Sequence, residues 1–215
     1  MNKFEIPVET PKSIAEIDFE KLHDRFGAPI DVFTDVEGTL CPWKFMSGGD
    51  AKLDRASIDA FASAANDGHL RGVHAITNRS GDGGAMIAGL VSAAINISIE
   101  GVESLYAYPQ KRSERKPSGV MSARILENLI TIRGINPGKK DESLAVAFIG
   151  DKPSDIQEAQ LMHNDFGFPV VGFMVPRLGG SDHPLDRLFG KRMSANSVRE
   201  QLSSTALKRY IKEEV

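Results

Sequence analysis

An apolar run that ends abruptly in two acids constrains this chain more than any other feature. Residues 30–34 are β-branched or aromatic apart from Asp31, as a buried strand requires. Asp35 and Glu37 follow, and Gly38 then permits a sharp exit from the strand. Ligands bind at the carboxyl ends of strands in open α/β sheets because the loops diverge there. We therefore expect Asp35 at such an edge as a nucleophile or metal ligand, the alternative being an ordinary acidic turn.

Polar residues follow two further apolar runs. The run 70–77 leads into Asn78, Arg79 and a glycine-rich stretch, and small residues of that kind expose backbone N–H groups to an anion. The stretch fits neither G-x-G-x-x-G nor G-x-x-x-x-G-K-[ST], so neither a dinucleotide site nor a P-loop is indicated. The run 144–149 leads into G-D-K-P-S-D at 150–155. Acids therefore follow a second predicted strand.

A basic stretch precedes the next predicted helix. Charge runs usually form solvated faces, which we expect for Lys111, Arg112 and Arg115. Lys116 differs because it directly precedes Pro117, which is expected to start the helix and to fix the position of this lysine. Its ammonium is expected to reach the same sheet edge as Asp35.

Strands and helices alternate along the chain, which predicts one α/β domain over residues 1–192 with a Rossmann-like, doubly wound, mainly parallel sheet. Residues 1–12 are interpreted as a surface arm, and residues 193–215 as a C-terminal helix that packs on the domain or forms an oligomer contact. Predicted strands lie at 30–34, 70–77, within 95–108, at 144–149 and at 168–175. Predicted helices cover residues 14–22 (with Ser13 as N-cap), 58–65, 85–94, 125–132 and 156–162.

Composition excludes several classes of protein. The formal net charge of -3 gives no global attraction to nucleic acid or anionic lipid. Cys41 is the single cysteine, so an internal disulfide framework and a cysteine-based zinc site are excluded, and a reducing, cytoplasmic location is the default. No signal peptide or membrane span is indicated. Five histidines show no ligand spacing and are expected to be structural or on the surface: His23, His69, His74, His163 and His183.

Taken together, these signals resemble the haloacid dehalogenase superfamily of phosphohydrolases over residues 13–192. The first motif of that superfamily, D-x-D-x-T, appears at 35–39, and the second, a strand ending in Ser or Thr, at 73–77. The lysine ahead of a helix matches Lys116, and G-D-x-x-x-D matches 150–155. The resemblance implies a haloacid dehalogenase-like fold with helices on both faces of the sheet.

Shorter strings suggest a branch of the superfamily. Residues 17–22, residues 39–43 and the Lys116-Pro117 pair look like the branch that includes phosphatidylglycerophosphate phosphatases. Glu37 departs from the general pattern, which has Asp there, whereas the otherwise unrelated enolase-phosphatases carry D-x-E-G-T.

The resemblance implies roles for the matched residues. Asp35 attacks phosphorus and forms an aspartyl-phosphate, which divides a hard hydrolysis into two easier steps. Glu37 protonates the leaving oxygen and then activates water, provided that its longer side chain is drawn back or the leaving group sits farther out. Positive and hydroxyl groups hold the phosphoryl oxygens as charge spreads over them. The implied substrate-binding residues are Thr77, Asn78, Arg79 and Lys116.

The resemblance also implies a magnesium ion, a hard cation that seeks oxygen ligands. The ligands would be the Asp35 carboxylate, the Glu37 backbone carbonyl, Asp151 and, directly or through a water, Asp155. Taken singly, these residues have ordinary alternatives, since Asp155 alone would suit a helix start and Lys116 alone a solvated surface.

Spacing leaves no room for a large cap domain. The intervals from Asp35 to Thr77 and from Thr77 to Lys116 each hold one helix, one strand and loops. An open site suits a bulky or surface-bound phosphomonoester, with phosphatidylglycerophosphate at a membrane surface as first choice and a protein, a nucleic-acid end or a metabolite as alternatives. A non-catalytic phosphate-binding module is the alternative from another class, raised by Glu37. Trp43, Phe45 and Met46 are expected to cover the first strand's end or touch substrate.

Overall fold

One parallel sheet organises the part of the chain that the computed structural model describes, residues 6–42, 53–135 and 144–178. Its strands lie side by side in the order first, sixth, fifth, second, third, fourth, and every pairing is parallel. In chain order they are β1 (Val8–Glu9), β2 (Ile30–Asp35), β3 (Leu70–Ile76), β4 (Tyr106–Ala107), β5 (Ala145–Gly150) and β6 (Val170–Met174). The chain runs outward from β2 to β4 and then returns to β5 on the other side of β2. The strand order therefore reverses between β2 and β5, where open sheets form a ligand crevice.

Helices cover both faces of the sheet. They are α1 (Phe19–Phe26), α2 (Arg55–Asn66), α3 (Gly81–Ser98), α4 (Val120–Arg133) and α5 (Pro153–Phe166). The apolar side chains of α1, α2 and α3 share one buried cluster with alternate residues of the strands, such as Val32 and Ala147. Those of α4 and α5 share a second cluster with the residues between, such as Phe33 and Phe148. The doubly wound α/β architecture predicted from the sequence is thus present.

Local chemistry fixes the ends of the helices. Asp18 and Asp54 cap α1 and α2, because their carboxylates accept hydrogen bonds from the backbone N–H groups of Lys21 and Ser57, both at 2.9 Å. Such a cap contributes about 1 kcal/mol. The position after α1 is Gly27, whose φ of 66° lies in the left-handed region that glycine tolerates.

The structure corrects several predicted elements at the amino-terminal half. Residues 8 and 9 are not part of a surface arm, since they pair with β6, and Val8 is buried with Ile6. The first predicted helix divides into a 3₁₀ turn, Ile14–Glu16, and α1, which Asp18 caps, so Ser13 is not the cap of the α-helix. The α-helix begins only after Asp18 because the backbone of Ile17 is extended and interrupts the helical run.

Two other boundaries differ from the prediction. Helix α3 begins at Gly81 rather than at Ala85, so the glycine-rich stretch is largely helical. Pro117 does not start α4, which begins at Val120 after Gly119 in the left-handed conformation. The predicted strand within 95–108 is only two residues long. Residues 43–52, with Trp43, Phe45 and Met46, and the predicted C-terminal helix lie outside the described residues. In the described part, no helix has the length and apolar character needed to cross a membrane.

Candidate functional site

The carboxyl ends of three neighbouring strands bring the predicted site residues together. Asp35 is the last residue of the central strand β2, Asp151 directly follows β5, and Thr77 directly follows β3. β2 pairs with both neighbours over almost its whole length, so these three ends are held in register. The edge predicted from the sequence is therefore where the structure places them.

Three carboxylates form one cluster at this edge. One oxygen each of Asp35, Asp151 and Asp155 lies within 4.8 Å of the others. Asp155 lies in the first turn of α5, where its Oδ2 accepts a hydrogen bond from the Lys152 backbone N–H at 3.0 Å. Gly150 is needed for this approach, because a Cβ there would lie 2.2 Å from the Cβ of Asp155. The loop after β5 thus folds tightly enough to place two acids beside Asp35.

Lys116 enters the same cluster. Its side chain has no exposed area, and its ammonium contacts Asp35 Oδ1 and, at 2.5 Å, Asp155 Oδ1. Burial alone would lower the pKa of Lys116, but the Asp155 and Asp35 carboxylates raise it above the ordinary value. Lys116 is therefore a buried positive charge at the same sheet edge as Asp35 and not a solvated one, although Pro117 does not start the helix.

A network that sequence reasoning missed holds the Lys116 loop. Glu158, on α5, has no exposed surface and accepts hydrogen bonds from the backbone N–H groups of Ser118 at 2.8 Å and Gly119 at 2.9 Å. On the other side, the Lys116 backbone N–H donates to Asn78 Oδ1 at 2.7 Å. Asn78 therefore contacts the backbone of this loop. A glutamate in the middle of a helix pattern carries no sequence signal for such a role, because its partner segment lies 36 to 40 positions away.

Two further cations that the sequence analysis did not select lie against Asp151. Lys152 Nζ is 3.3 Å from Asp151 Oδ1, and Arg177 Nε is 2.9 Å from Asp151 Oδ2. The sequence offered an indication for Lys152, because this residue directly follows an acid at a predicted strand end. For Arg177 the only indication was its position after the last predicted strand. With Lys116 they set three positive side chains against three carboxylates.

The turn after β2 packs closely against this cluster. Gly38 has a φ of 89°, and a Cβ there would lie 2.7 Å from Asp151 Oδ2 and 2.9 Å from Arg177 Nε. The Leu178 backbone N–H donates to the Gly38 carbonyl at 2.7 Å. The segment after β6 therefore packs directly on the loop that follows Asp35.

Glu37 lies in a second, adjoining group. Thr77 Oγ1 lies 2.7 Å and 2.9 Å from its two carboxylate oxygens and donates to them, and Arg79 Nε donates to Oε1 at 2.8 Å. Thr77 Oγ1 in turn accepts a hydrogen bond from the Arg79 backbone N–H at 3.1 Å. The side chain of Glu37 is buried by these contacts and turned toward β3. The predicted residues thus form two groups, one around Asp35 and one around Glu37.

Burial also shifts the titration of the acids. Burial raises the pKa of Asp35 to about 7, with Asp155 and Asp151 adding to the rise against the opposing effect of Lys116 and Lys152. Burial likewise raises the pKa of Asp151. The thiol of Cys41 is buried close by and its pKa is raised to about 12, so it stays protonated and is no nucleophile.

The donor set fits a hard divalent cation. Asp35 Oδ2 and Asp151 Oδ1 are buried and accept no hydrogen bond from the described residues. Buried carboxylate oxygens without donors are costly unless a cation or another ligand meets them. The acidic cluster is therefore suited to hold a metal ion through oxygen ligands.

Models of known protein families include none that matches this chain, and no curated protein shows significant sequence similarity to it. The function has to be argued from the geometry of the site.

Proposed function

We propose that this protein is a magnesium-dependent phosphomonoester hydrolase that acts through an aspartyl-phosphate. The observation that carries the proposal is the environment of Asp35, a buried carboxylate at the strand-order reversal with a buried ammonium on one oxygen and two further acids beside it. A carboxylate held next to a fixed cation suits attack on an anionic, electrophilic centre. The sequence motifs at 35–39, Thr77, Lys116 and 150–155 support the same chemistry.

The two oxygens of Asp35 have different partners, which suggests different roles. Lys116 contacts Oδ1, so a phosphoryl group drawn to this ammonium would lie beside Oδ1. In the proposed first step, Oδ1 bonds to phosphorus while the bond from phosphorus to the ester oxygen breaks. In the second step, water attacks phosphorus, the Asp35 carboxylate is regenerated and inorganic phosphate leaves. Lys116 neutralises charge on the phosphoryl oxygens in both steps.

Charge balance supports a metal together with an anionic substrate. The three carboxylates match the three positive side chains of Lys116, Lys152 and Arg177. A divalent ion adds two positive charges, which a phosphomonoester of charge about −2 restores to neutrality. When bound by Asp35, Asp151 and Asp155, magnesium would supply charge stabilisation for the phosphoryl group.

Glu37 would exchange a proton with the leaving oxygen and with water. The contacts from Thr77 and Arg79 orient the Glu37 carboxylate. The Arg79 guanidinium would also attract an incoming phosphate. Glu37, Thr77 and Arg79 are proposed to act together during proton transfer and substrate binding.

An open site supports a bulky or surface-bound substrate. Between Thr77 and Lys116 the described chain holds only α3, β4 and a short 3₁₀ turn, Arg112–Glu114, so no cap domain lies in that interval. A lipid phosphate such as phosphatidylglycerophosphate, met by a cytoplasmic protein at a membrane surface, is the first-choice substrate. Another phosphomonoester, on a protein, a nucleic-acid end or a metabolite, is the alternative within the same activity.

One observation favours a second candidate, a phosphate-binding module without turnover. Both oxygens of Glu37 are engaged by Thr77, and one also by Arg79. If these contacts persist with a ligand bound, proton transfer to a leaving group fails while phosphate binding through Lys116 remains.

A panel of phosphomonoesters, assayed with Mg²⁺ and with EDTA, separates the two candidates. The hydrolase hypothesis predicts phosphate release that EDTA abolishes and that Asp35→Asn removes by at least about a thousandfold. Asp59→Asn, which changes an exposed acid on α2, is the matched control and should keep full activity. Metal-dependent phosphate binding without release would support the binding module instead.

Leaving-group dependence tests the role of Glu37. An alkoxide needs a proton to leave, whereas nitrophenolate hardly does. Glu37→Gln is therefore expected to slow hydrolysis of an alkyl phosphate about a hundredfold and that of p-nitrophenyl phosphate far less. Equal losses on both substrates would mean that Glu37 only shapes the loop.

A further inference from the structure

Lys152 lies between two carboxylates of the cluster. Its ammonium is 3.3 Å from Asp151 Oδ1 and 4.0 Å from Asp35 Oδ2. Both oxygens are among the three of the cluster that accept no hydrogen bond from the described part of the chain; the third is Asp155 Oδ1. A divalent ion that took both oxygens as ligands would need the space beside them in which this ammonium lies.

The three cations of the cluster differ in how firmly they are held. Lys116 is completely buried and contacts two carboxylates, and the side chain of Arg177 is only 14% exposed and packs on Gly38. The Lys152 side chain is 37% exposed and starts from the residue before α5, at the rim of the site. A long, flexible side chain at the rim is able to turn into solvent at little cost. Of the three cations, Lys152 is thus the most exposed.

We propose that Lys152 is a tethered counter-cation that competes with the divalent metal ion for Asp35 and Asp151. This inference rests on the proposed metal site but not on catalysis. In the metal-free protein the Lys152 ammonium offsets the negative charge of the two carboxylates. When the metal binds, the ammonium turns outward, and it becomes available to an anionic group at the site entrance.

If Lys152 competes with the metal ion, removing its charge should lower the stability of the metal-free protein and raise its affinity for the metal. The metal-free protein loses a favourable contact with two buried carboxylates, so its thermal midpoint falls. The metal ion loses its competitor, so its affinity rises. A residue that merely supported the fold would lower the midpoint without raising metal affinity.

Calorimetric titration of the full chain with Mg²⁺, and with Mn²⁺ as a second probe, measures the affinity directly. Lys152→Met and Lys152→Gln are expected to lower the Kd for the metal about tenfold or more, while the metal-free thermal midpoint falls. Lys152→Arg keeps the positive charge and should restore a Kd near that of the wild type. Lys21→Met, which removes an exposed lysine of α1, is the matched control and should leave both values unchanged.

Chemical labelling separates displacement from remote repulsion. Acetylation of Lys152, followed by peptide mass spectrometry, should increase several-fold when Mg²⁺ saturates the wild-type protein, because the side chain turns into solvent. Lys116 should stay unlabelled and Lys21 should label equally in both conditions. Mg²⁺ binding without any increase at Lys152 would overturn the proposal.

Other outcomes are equally decisive. A Kd that is unchanged or higher in Lys152→Met and Lys152→Gln overturns the proposal, as does the absence of metal binding by the wild type. If the affinity and labelling shifts occur but no phosphomonoester is hydrolysed, the competition stands and the proposed enzyme activity fails. If the enzyme is active but the shifts are absent, the proposed function stands and the competition fails.

Discussion

Two aspartates on the same strand and the same face, Asp31 and Asp35, meet opposite surroundings. Both are buried, with relative exposures of 0% and 2%. Asp31 lies at the amino end of β2, where two arginines donate hydrogen bonds to its carboxylate. Arg71 donates to Oδ2 from two nitrogens at 2.7 and 3.0 Å, and Arg133 donates to the same oxygen at 2.9 Å. Asp35, at the carboxyl end, keeps one oxygen without a hydrogen-bond donor among the described residues.

His74 completes the group around Asp31. The Leu105 backbone N–H donates to its Nδ1 at 3.2 Å, so Nε2 carries the proton and donates to Asp31 Oδ1, also at 3.2 Å. Arg133 further pairs with Glu103 at 2.6 Å. Gly72 leaves room for these contacts, since a Cβ there would lie 2.5 Å from Asp31 Oδ1. Side chains of the protein thus supply hydrogen-bond donors to both carboxylate oxygens of Asp31.

The pKa values express the contrast. Burial alone would raise the pKa of Asp31, but hydrogen bonds from His74 and Arg133 and the charge of Arg71 lower it well below the ordinary value. Burial raises the pKa of Asp35 to about 7 because its partners compensate its charge less completely. The number of hydrogen-bond donors among the described residues, not burial, therefore separates the two aspartates, and only Asp35 has an oxygen left for the proposed metal ion.

The largest expected effect comes from making the same substitution at both positions. Asp31→Asn removes a charge that two arginines share, and breaking a buried ion pair of this kind costs about 3 kcal/mol or more in free energy of unfolding. Asp35→Asn should change the metal-free stability by less than about 1 kcal/mol, or increase it, because one of three clustered carboxylates is removed. Urea unfolding in EDTA measures both values.

A comparable loss of stability in the two variants would contradict the difference proposed between Asp31 and Asp35. It would mean that Lys116 depends on Asp35 as strongly as the arginines depend on Asp31. An increase in stability for Asp31→Asn would likewise show that its hydrogen bonds do not repay the cost of burying the charge.

The pH dependence of metal-free stability should differ in sign for the two ends of β2. The lowered pKa of Asp31 contributes stability above the reference value of 3.8, and this contribution is lost as the pH falls below it. The raised pKa of Asp35 means that the folded state binds a proton more readily than the unfolded state between 3.8 and about 7. Stability should therefore increase as the pH falls through that window.

Thermal unfolding in EDTA across this pH range provides the measurement. Asp35→Asn should flatten the rise between neutral and mildly acidic pH while it leaves the acid-induced loss unchanged. Saturating Mg²⁺ should reverse the upper part of the profile, because metal ligands must be deprotonated. A wild-type protein that loses stability steadily from neutral pH downward would contradict the assignment for Asp35.

An exposed ion pair on α2 should contribute much less to stability than the buried pairs of Asp31. Arg55 and Asp59 form an ion pair at 2.9 Å on α2, with side chains 89% and 57% exposed. Arg55→Ala should lower the free energy of unfolding by no more than about 0.5 kcal/mol, because solvent screens such a pair. A loss as large as that of Asp31→Asn would show that exposure does not separate these pairs.

The sequence predicted the central elements because their physical signals are local. Mainly apolar runs that end in polar or glycine-rich residues gave β2, β3, β5 and β6 close to their observed limits. Asp35, Asp151 and Asp155 followed from the rule that parallel strands end at one edge. Tertiary pairing decided the elements that were missed: Val8–Glu9 is a strand only because β6 lies beside it.

Contacts between distant segments account for what the sequence could not indicate within the site. Arg177 and Glu158 reach the cluster only through the packing of β6 and α5 on the sheet. The Asp31 group joins residues up to 102 positions apart, so Asp31 looked like an interruption of a strand and not like a buried partner of arginines. The contacts of Glu37 with Thr77 and Arg79 depend on the register between β2 and β3.

Phosphorylation of Asp35 is the step on which the proposed function depends, and acid quenching during turnover tests it most directly. Wild-type protein mixed with p-nitrophenyl phosphate and Mg²⁺, quenched in acid and digested, should yield one peptide containing Asp35 that carries a phosphoryl group. Hydroxylamine should remove that group, as expected of an acyl phosphate, and Asp35→Asn should yield none. Sustained phosphate release without modification at Asp35, or with a hydroxylamine-stable modification elsewhere, would contradict the account.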